Sequence, residues 1–246
     1  MIPKNHPRYK SLVLRDKIMK AYKEGYLSET GMIAHGRGET FDYLFGEKTT
    51  EPSKIAIKVT VAKLFLAKNP VISINGNVTA LVIDEIIQLA NLIPAKIEIN
   101  LFYRTKKRVD IIKSIVDKKG YKNVLGTNED DSLYVNGIES PRAAASKNGI
   151  YSSDLVLVPL EDGDRTEILV DSGKEVIAID LNPLSRTSKK ANITIVDNII
   201  RAIPLMIKTA ENFKNYSKEE LKDIIKGFSN ENNLKESLKC IDLNNI

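Results

Sequence analysis

Between residues 70 and 200 the chain alternates short β-branched runs with longer stretches whose apolar side chains recur every three or four positions. The short runs VISI (71–74), KIEINLF (96–102), NVLG (123–126), DLVLVPL (154–160), EVIAID (175–180) and ITIVD (193–197) predict strands. Helical spacing predicts helices over 78–91, 104–119, 140–147, 164–172 and 198–214. Strands apolar on both faces and separated by helices imply a parallel sheet covered on both sides. The expected fold class is therefore α/β, a Rossmann-like, doubly wound, mostly parallel sheet joined by right-handed crossovers.

Two helical regions flank this core, and the whole chain, 1–246, is expected to be one domain: an N-terminal segment (1–69), the core (70–214) and a tail (215–246). The first segment holds a predicted helix over 8–24, a glycine-flanked stretch read as a turn, and a helix over 53–68, KIAIKVTVAKLFLAK, apolar around nearly all its circumference. Such a helix either runs through the subunit core or packs against a second copy of the chain. The tail is read as two polar helices, the first opened by a capping box of Ser217 and Glu220, with Leu234, Leu238 and Ile241 forming a narrow stripe.

Composition narrows the picture. At 42% hydrophobic and 28% charged residues the chain is ordinary for a globular protein, and no apolar run approaches the roughly 20 residues of a membrane span. The opening MIPKNHPRYKSLVLRDK is polar and basic, so a cytoplasmic location without membrane association is expected. Cys240 is the single cysteine, which excludes an internal disulfide, and two histidines are too few to complete a structural zinc site. The net charge of +5 is spread along helices instead of forming one basic block, and there is no tryptophan, so nucleic acid is not the expected partner.

Candidate chemistry lies where strands give way to helices, because open α/β sheets bind ligands beyond the carboxyl ends of their strands. After VISI, Asn75, Gly76 and Asn77 make a short turn into a helix, either a phosphate-binding N-terminus or a tight turn capped by Asn77. After EVIAI, the segment DLNPLSRTSKK sets Asp180 to hold a ribose, with Arg186 and the Thr187 hydroxyl on a triphosphate. After ITIV, Asp197 and Asn198 open a long helix. Ser140 and Pro141 are read as starting a helix with Arg142 in its first turn, a position suited to an anion. Upstream, His35-Gly36-Arg37-Gly38-Glu39 places an arginine between glycines, either an anion site or an exposed turn.

The blocks IPKNHPRYKSLVLRDKI, GMIAHGRGETFDYLFGEKT, VISINGNVTAL, NGIESPRAAAS, AIDLNPLSRTS and ITIVDNIIRA, spread over residues 2–202, together resemble the archaeal 4-phosphopantoate–β-alanine ligase family, also called phosphopantothenate synthetases. The resemblance implies a homodimer that condenses 4-phosphopantoate with β-alanine, consuming ATP and releasing AMP and diphosphate, in coenzyme A biosynthesis. It implies ATP contacts from Arg15, Arg37, Asp180, Leu181, Asn182, Arg186, Thr187, Asp197 and Asn198. Arg37 and Arg186 are then expected to supply positive charge during catalysis, and His35 either takes the amine proton or is structural. The pocket for the 4-phosphopantoate phosphate is assigned to Asn75, Gly76, Asn77 and Arg142, and Mg²⁺ is expected to accompany ATP. Two rivals share parts of the pattern. A nicotinamide oxidoreductase would use an acid such as Glu98 on the ribose, although the glycines before it do not form the fingerprint; a nucleic-acid-binding module would need a clustered basic face.

Overall fold

The computed structural model describes residues 3–6, 8–128, 132–137, 140, 141 and 143–241. Three helices come first: α1 (Tyr9–Lys23), α2 (Glu29–Leu44) and α3 (Glu51–Leu66). The sheet then begins with β1 (Pro70–Ile74), followed by α4 (Gly76–Leu92), β2 (Lys96–Ile99) and α5 (Lys106–Lys118). After a short hairpin, β3 (Ser132–Tyr134) with β4 (Ala144–Ser146), come β5 (Leu155–Pro159), α6 (Gly163–Asp171), β6 (Glu175–Ile179), α7 (Arg186–Lys190), β7 (Ile193–Ile195) and α8 (Ile199–Phe213). The tail forms α9 (Lys218–Ile225) and α10 (Asn230–Lys239), with the Ser217–Glu220 capping box in place.

The five long strands pair in parallel in the order β2-β1-β5-β6-β7. That order reverses between β1 and β5, which puts the topological switch point, the usual ligand crevice, at their carboxyl ends. Strands β1 and β5 are buried at every position, as expected of a sheet covered on both faces.

Three local expectations are corrected. The stretch around His35 and Arg37 is not a turn but the middle of α2, opened by Ser28, whose hydroxyl accepts the Gly31 amide. The run 123–126 contributes a single bridge between Leu125 and Glu98, not a strand. No helix covers 140–147: Ala144–Ser146 pairs antiparallel with Ser132–Tyr134. The cause lies in Glu98, whose carboxylate accepts the backbone amides of Ser146 at 3.0 Å, a donor that the helix would have needed, and of Ile150 just beyond at 2.7 Å. A Cβ on Gly149 would lie 2.0 Å from a Glu98 oxygen, so the chain closes over that carboxylate only because residue 149 is glycine. Arg142 lies outside the described residues.

Helix α3 belongs to the subunit core. Ile57 and Val61 are buried, and α8, α9, α10 and β7 pack around the helix. Thr50 caps it, and the Ser53 hydroxyl donates to the Val196 carbonyl at 2.7 Å, fixing its start to the end of β7. The tail covers the same region, α9 through Leu221 and its apolar neighbours and α10 through polar groups. Asn230 accepts the Thr194 amide and donates to the carbonyls of Ser188 and Ala191, while Asn233 donates to the Thr194 carbonyl. These asparagines satisfy backbone groups that the edge strand β7 would otherwise leave without a ladder partner. Leu234, Leu238 and Ile241 stay half-exposed; Asn233 and Ser237 are the buried residues of this helix.

A charge placed on α3 should therefore unfold the chain. Replacing Ile57 or Val61 with Lys is expected to cost roughly 5 kcal/mol, a large share of the 5–15 kcal/mol typical of a domain. Loss of a cooperative transition in urea is the expected result; folded monomers would show that these side chains face a partner.

Candidate functional site

Helix α2 crosses the carboxyl ends of the strands and organises the site. Near its start, the Gly31 carbonyl accepts from the Asn77 side chain beyond β1 at 3.3 Å. Further on, a Cβ at Gly38 would lie 3.3 Å from Leu181 beyond β6. At its end, Asp42 bonds Asn198 and Arg201 beyond β7. From Gly31 to Asp42 the helix runs about 16 Å at 1.5 Å per residue. Three strand spacings, from β1 to β7, amount to about 14 Å. The helix thus spans the open edge of the sheet, and the glycines at 31 and 38 permit its close approach.

At the switch point, Asn75 is a structural clamp. Its side-chain oxygen accepts the amides of Asn77 and Val78, capping α4 in place of Asn77, and its Nδ2 donates to the Leu160 carbonyl at 3.0 Å. Leu160 itself takes a left-handed φ of 56°, a conformation that costs a non-glycine residue on the order of 1 kcal/mol and is kept by its surroundings. Its amide donates to the Ile179 carbonyl, so the ends of β1, β5 and β6 are tied together there. Gly76 is required because a Cβ would come within 2.7 Å of the Tyr26 carbonyl. The turn proposed for a phosphate is thus closed by Asn75 and by the passing chain at Tyr26 and Leu27.

Beyond β6, Asp180 folds its own loop. It accepts the Asn182 amide at 2.9 Å and the Ser185 hydroxyl at 2.6 Å, and Asn182 in turn accepts the Leu184 amide. Burial pushes the Asp180 carboxyl up, against the hydrogen bonds from Ser185 and Asn182 and the positive charge of Arg37. Arg37, next to the Gly38 that lies over Leu181, is thus close enough for its charge to act on this carboxylate. Thr187 is buried and its hydroxyl donates to the Glu161 carbonyl at 2.9 Å. Arg186, half-exposed, is held by Asp164 and Glu167 of α6.

Beyond β7 lies the most connected polar cluster of the site. Arg201 donates to Asp42 and also to Asp197, at 2.5 Å and 2.7 Å for its closest contacts. Thr49 donates to the second Asp197 oxygen at 2.6 Å, and Asn198, the true cap of α8, donates to Asp42 at 2.9 Å. Burial nonetheless pushes the Asp197 carboxyl up, and the two carboxylates push Arg201 up against its own burial.

On α2, His35 is half-buried, and burial holds its pKa below the ordinary 6.5 against the pull of Glu39. Arg15 of α1 also lowers it, reaching α2 through an ion pair to Glu39 at 3.2 Å and a bond to the Tyr43 hydroxyl. Arg15 and His35 are accordingly neighbours where α1 meets α2. Among the described residues no group of three or more His, Cys, Asp or Glu is arranged to hold a metal ion, and no helix is long and apolar enough to cross a membrane.

The structure brings together Arg15, His35, Arg37, Asp180, Leu181, Asn182, Asp197 and Asn198 along one edge, with Asn75, Gly76 and Asn77 at its other end. The sequence reading missed Asp42, Thr49 and Arg201. A signal for the last was available: Arg201 stands four residues after Asp197, the spacing at which helical side chains meet. Glu98, the acid a nicotinamide site would use, is buried beneath the hairpin. Several lysines are spent on helix-face pairs such as Lys106–Asp110 and Lys113–Asp117, in line with dispersed charge.

A doubly wound sheet with polar side chains gathered along its carboxyl edge defines an α/β protein of the ligand-binding, doubly wound class. Residues 52–244 match the family model for phosphopantothenate/pantothenate synthetase, and the chain belongs to that family. It is 51% identical over 238 residues, 96% of this chain and 90% of the relative, to a protein of Thermococcus kodakarensis named 4-phosphopantoate--beta-alanine ligase. Proteins of the same name from Thermococcus onnurineus, 52% identical over 96% of this chain and 90% of the relative, and Methanosarcina mazei, 51% identical over 98% and 94%, are similarly related.

The neutral His35 has a stability consequence. Its folded pKa lies below the value near 6.5 of an unfolded chain, so protons favour unfolding. The contribution is fully present above about pH 6.5 and is lost as pH falls toward the folded value. Urea unfolding at pH 7.5 and pH 5.5 should show a smaller acid loss for His35→Asn than for the wild type; equal losses would assign the sensitivity elsewhere.

Proposed function

We propose that this protein is a ligase that joins 4-phosphopantoate to β-alanine, giving 4'-phosphopantothenate for coenzyme A biosynthesis, at the expense of ATP. The observation that carries the reading is the convergence of separate sequence blocks on one sheet edge in a chain about half identical, over nearly its whole length, to proteins bearing that ligase name.

The chemistry needs no protein nucleophile. A carboxylate oxygen of 4-phosphopantoate attacks the α-phosphorus of ATP; the new O–P bond forms as diphosphate leaves with the electron pair of the broken bond. The β-alanine nitrogen then attacks the acyl carbon of this acyl-adenylate, the C–N bond forms, AMP departs and the nitrogen loses a proton. Arg37 neutralises charge on the nucleotide phosphates, and Arg186 joins it by exchanging Asp164 and Glu167 for phosphate oxygens. Asp180 keeps acceptor capacity for ribose hydroxyls after serving Asn182 and Ser185. Arg15 and the loop residues Leu181, Asn182 and Thr187 shape the nucleotide side, with Asp197 and Asn198 behind it. His35, neutral at pH 7, can accept the amine proton. Mg²⁺ arrives with ATP, held mainly by phosphate oxygens and water. Because the donors of Asn75 and Asn77 are already engaged within the fold, Arg142 is the proposed counter-charge for the phosphate of 4-phosphopantoate.

A second copy is proposed to cover the outer face of α2, where Ile33, Tyr43 and Leu44 are 61%, 46% and 38% exposed and Met19 of α1 is 46% exposed.

AMP formed from ATP only when both 4-phosphopantoate and β-alanine are present is the expected product result, and ADP would overturn the adenylate route. Arg37→Ala and Arg186→Ala should each weaken ATP binding roughly 10- to 100-fold while leaving the fold intact, the loss of one charge-assisted contact. Unchanged affinity in both would remove the phosphate assignment. Light scattering is expected to give a dimer for the wild type and a monomer for Ile33→Glu; a monomeric wild type would rule out the second copy.

A further inference from the structure

We infer that the Asp42–Arg201–Asp197 cluster is a latch that holds α2 across the sheet edge, making Asp42 and Arg201 positioning residues for Arg37; the inference rests on the ATP reading above. Helix α2 has almost no apolar grip on the protein. Of its sixteen residues, all described, Asp42 alone is buried. Its apolar contact with the core is the half-buried Met32, and at Gly31 and Gly38 it meets the neighbouring loops through residues without side chains. Beside the buried cap Phe45, its end is fixed by polar contacts: both Asp42 oxygens are engaged, one by Arg201 at 2.5 Å and the other by Asn198 at 2.9 Å and Arg201 at 3.2 Å. Arg201 is itself fixed by Asp197 through Nε at 2.9 Å and Nη2 at 2.7 Å. Thr49, in the connection from α2 to α3, closes the ring on the remaining Asp197 oxygen at 2.6 Å.

One guanidinium therefore joins a carboxylate of α2 to a carboxylate at the end of β7. Arg37 stands a little over one turn before Asp42 on the same helix, about 7–8 Å along its axis. A helix is stiff over that distance, so releasing Asp42 lets Arg37 lift from Asp180 and from any phosphate it serves. Neither Asp42 nor Arg201 need touch the nucleotide for this.

The test compares Asp42→Ala, Asp42→Asn, Arg37→Ala and the double variant Arg37→Ala/Asp42→Ala with the wild type, measuring Mg-ATP binding by calorimetry and hydrogen exchange along the full chain. Asp42→Ala is expected to weaken ATP binding about tenfold, yet to add less than about twofold when Arg37 is already alanine, because the two act as one unit. Exchange over 29–44 should accelerate about tenfold or more while β1, β5 and β6 keep their protection. Asp42→Asn, which keeps the shape, carries the same expectations if the alanine variant does not fold. Losses that multiply in the double variant, an exchange increase shared by the sheet, or unchanged ATP binding with unchanged exchange would each overturn the latch. A wild type that binds no ATP would overturn the nucleotide reading instead, and the exchange comparison would still decide whether Asp42 secures α2.

Discussion

A parallel sheet covered on both faces still leaves one edge open, the edge where its strands end and its ligands bind. Here that edge is spanned by a helix with little apolar surface of its own to bury, so hydrophobic packing at Met32 and Phe45 does not by itself fix its position. Two buried carboxylates and one arginine do this instead. Breaking such a buried pair typically costs about 3–5 kcal/mol, because the remaining partner is left charged and poorly solvated. The arrangement is thus decisive for geometry even if it adds little net stability relative to an apolar contact of the same size.

The division of labour follows from this. Helix α3 and the sheet supply a rigid floor through apolar burial, which tolerates no charge. The covering helix is fastened by directional polar contacts, which specify position more tightly than burial does. The Asn75 clamp and the left-handed Leu160 tie β1, β5 and β6 at the switch point, so the site is framed by backbone constraints on one side and by the ionic cluster on the other.

Much of the fold was legible because the five long strands are continuous apolar runs and the helices between them keep their period. Where legibility failed, a distant group had overruled a local pattern. Alanines at 143–145 favour a helix by themselves, but Glu98 takes the Ser146 amide that helix would use. The glycines around Arg37 resembled a turn because one sequence does not show that Leu181 lies against a helix at Gly38. Asp180 and Asp197 were found because they end strands. Asp42 was not, since a lone aspartate on an exposed helix carries no signal until its arginine partner, far along the chain, is placed beside it.

The tail has a role that only the packing reveals. By offering amide side chains to β7, Asn230 and Asn233 act as a substitute for a neighbouring strand. A chain leaving the ribosome completes its sheet before these residues exist, so for an interval during synthesis β7 presents an unguarded edge. The arrival of α10 removes this opportunity for strands of separate nascent chains to pair.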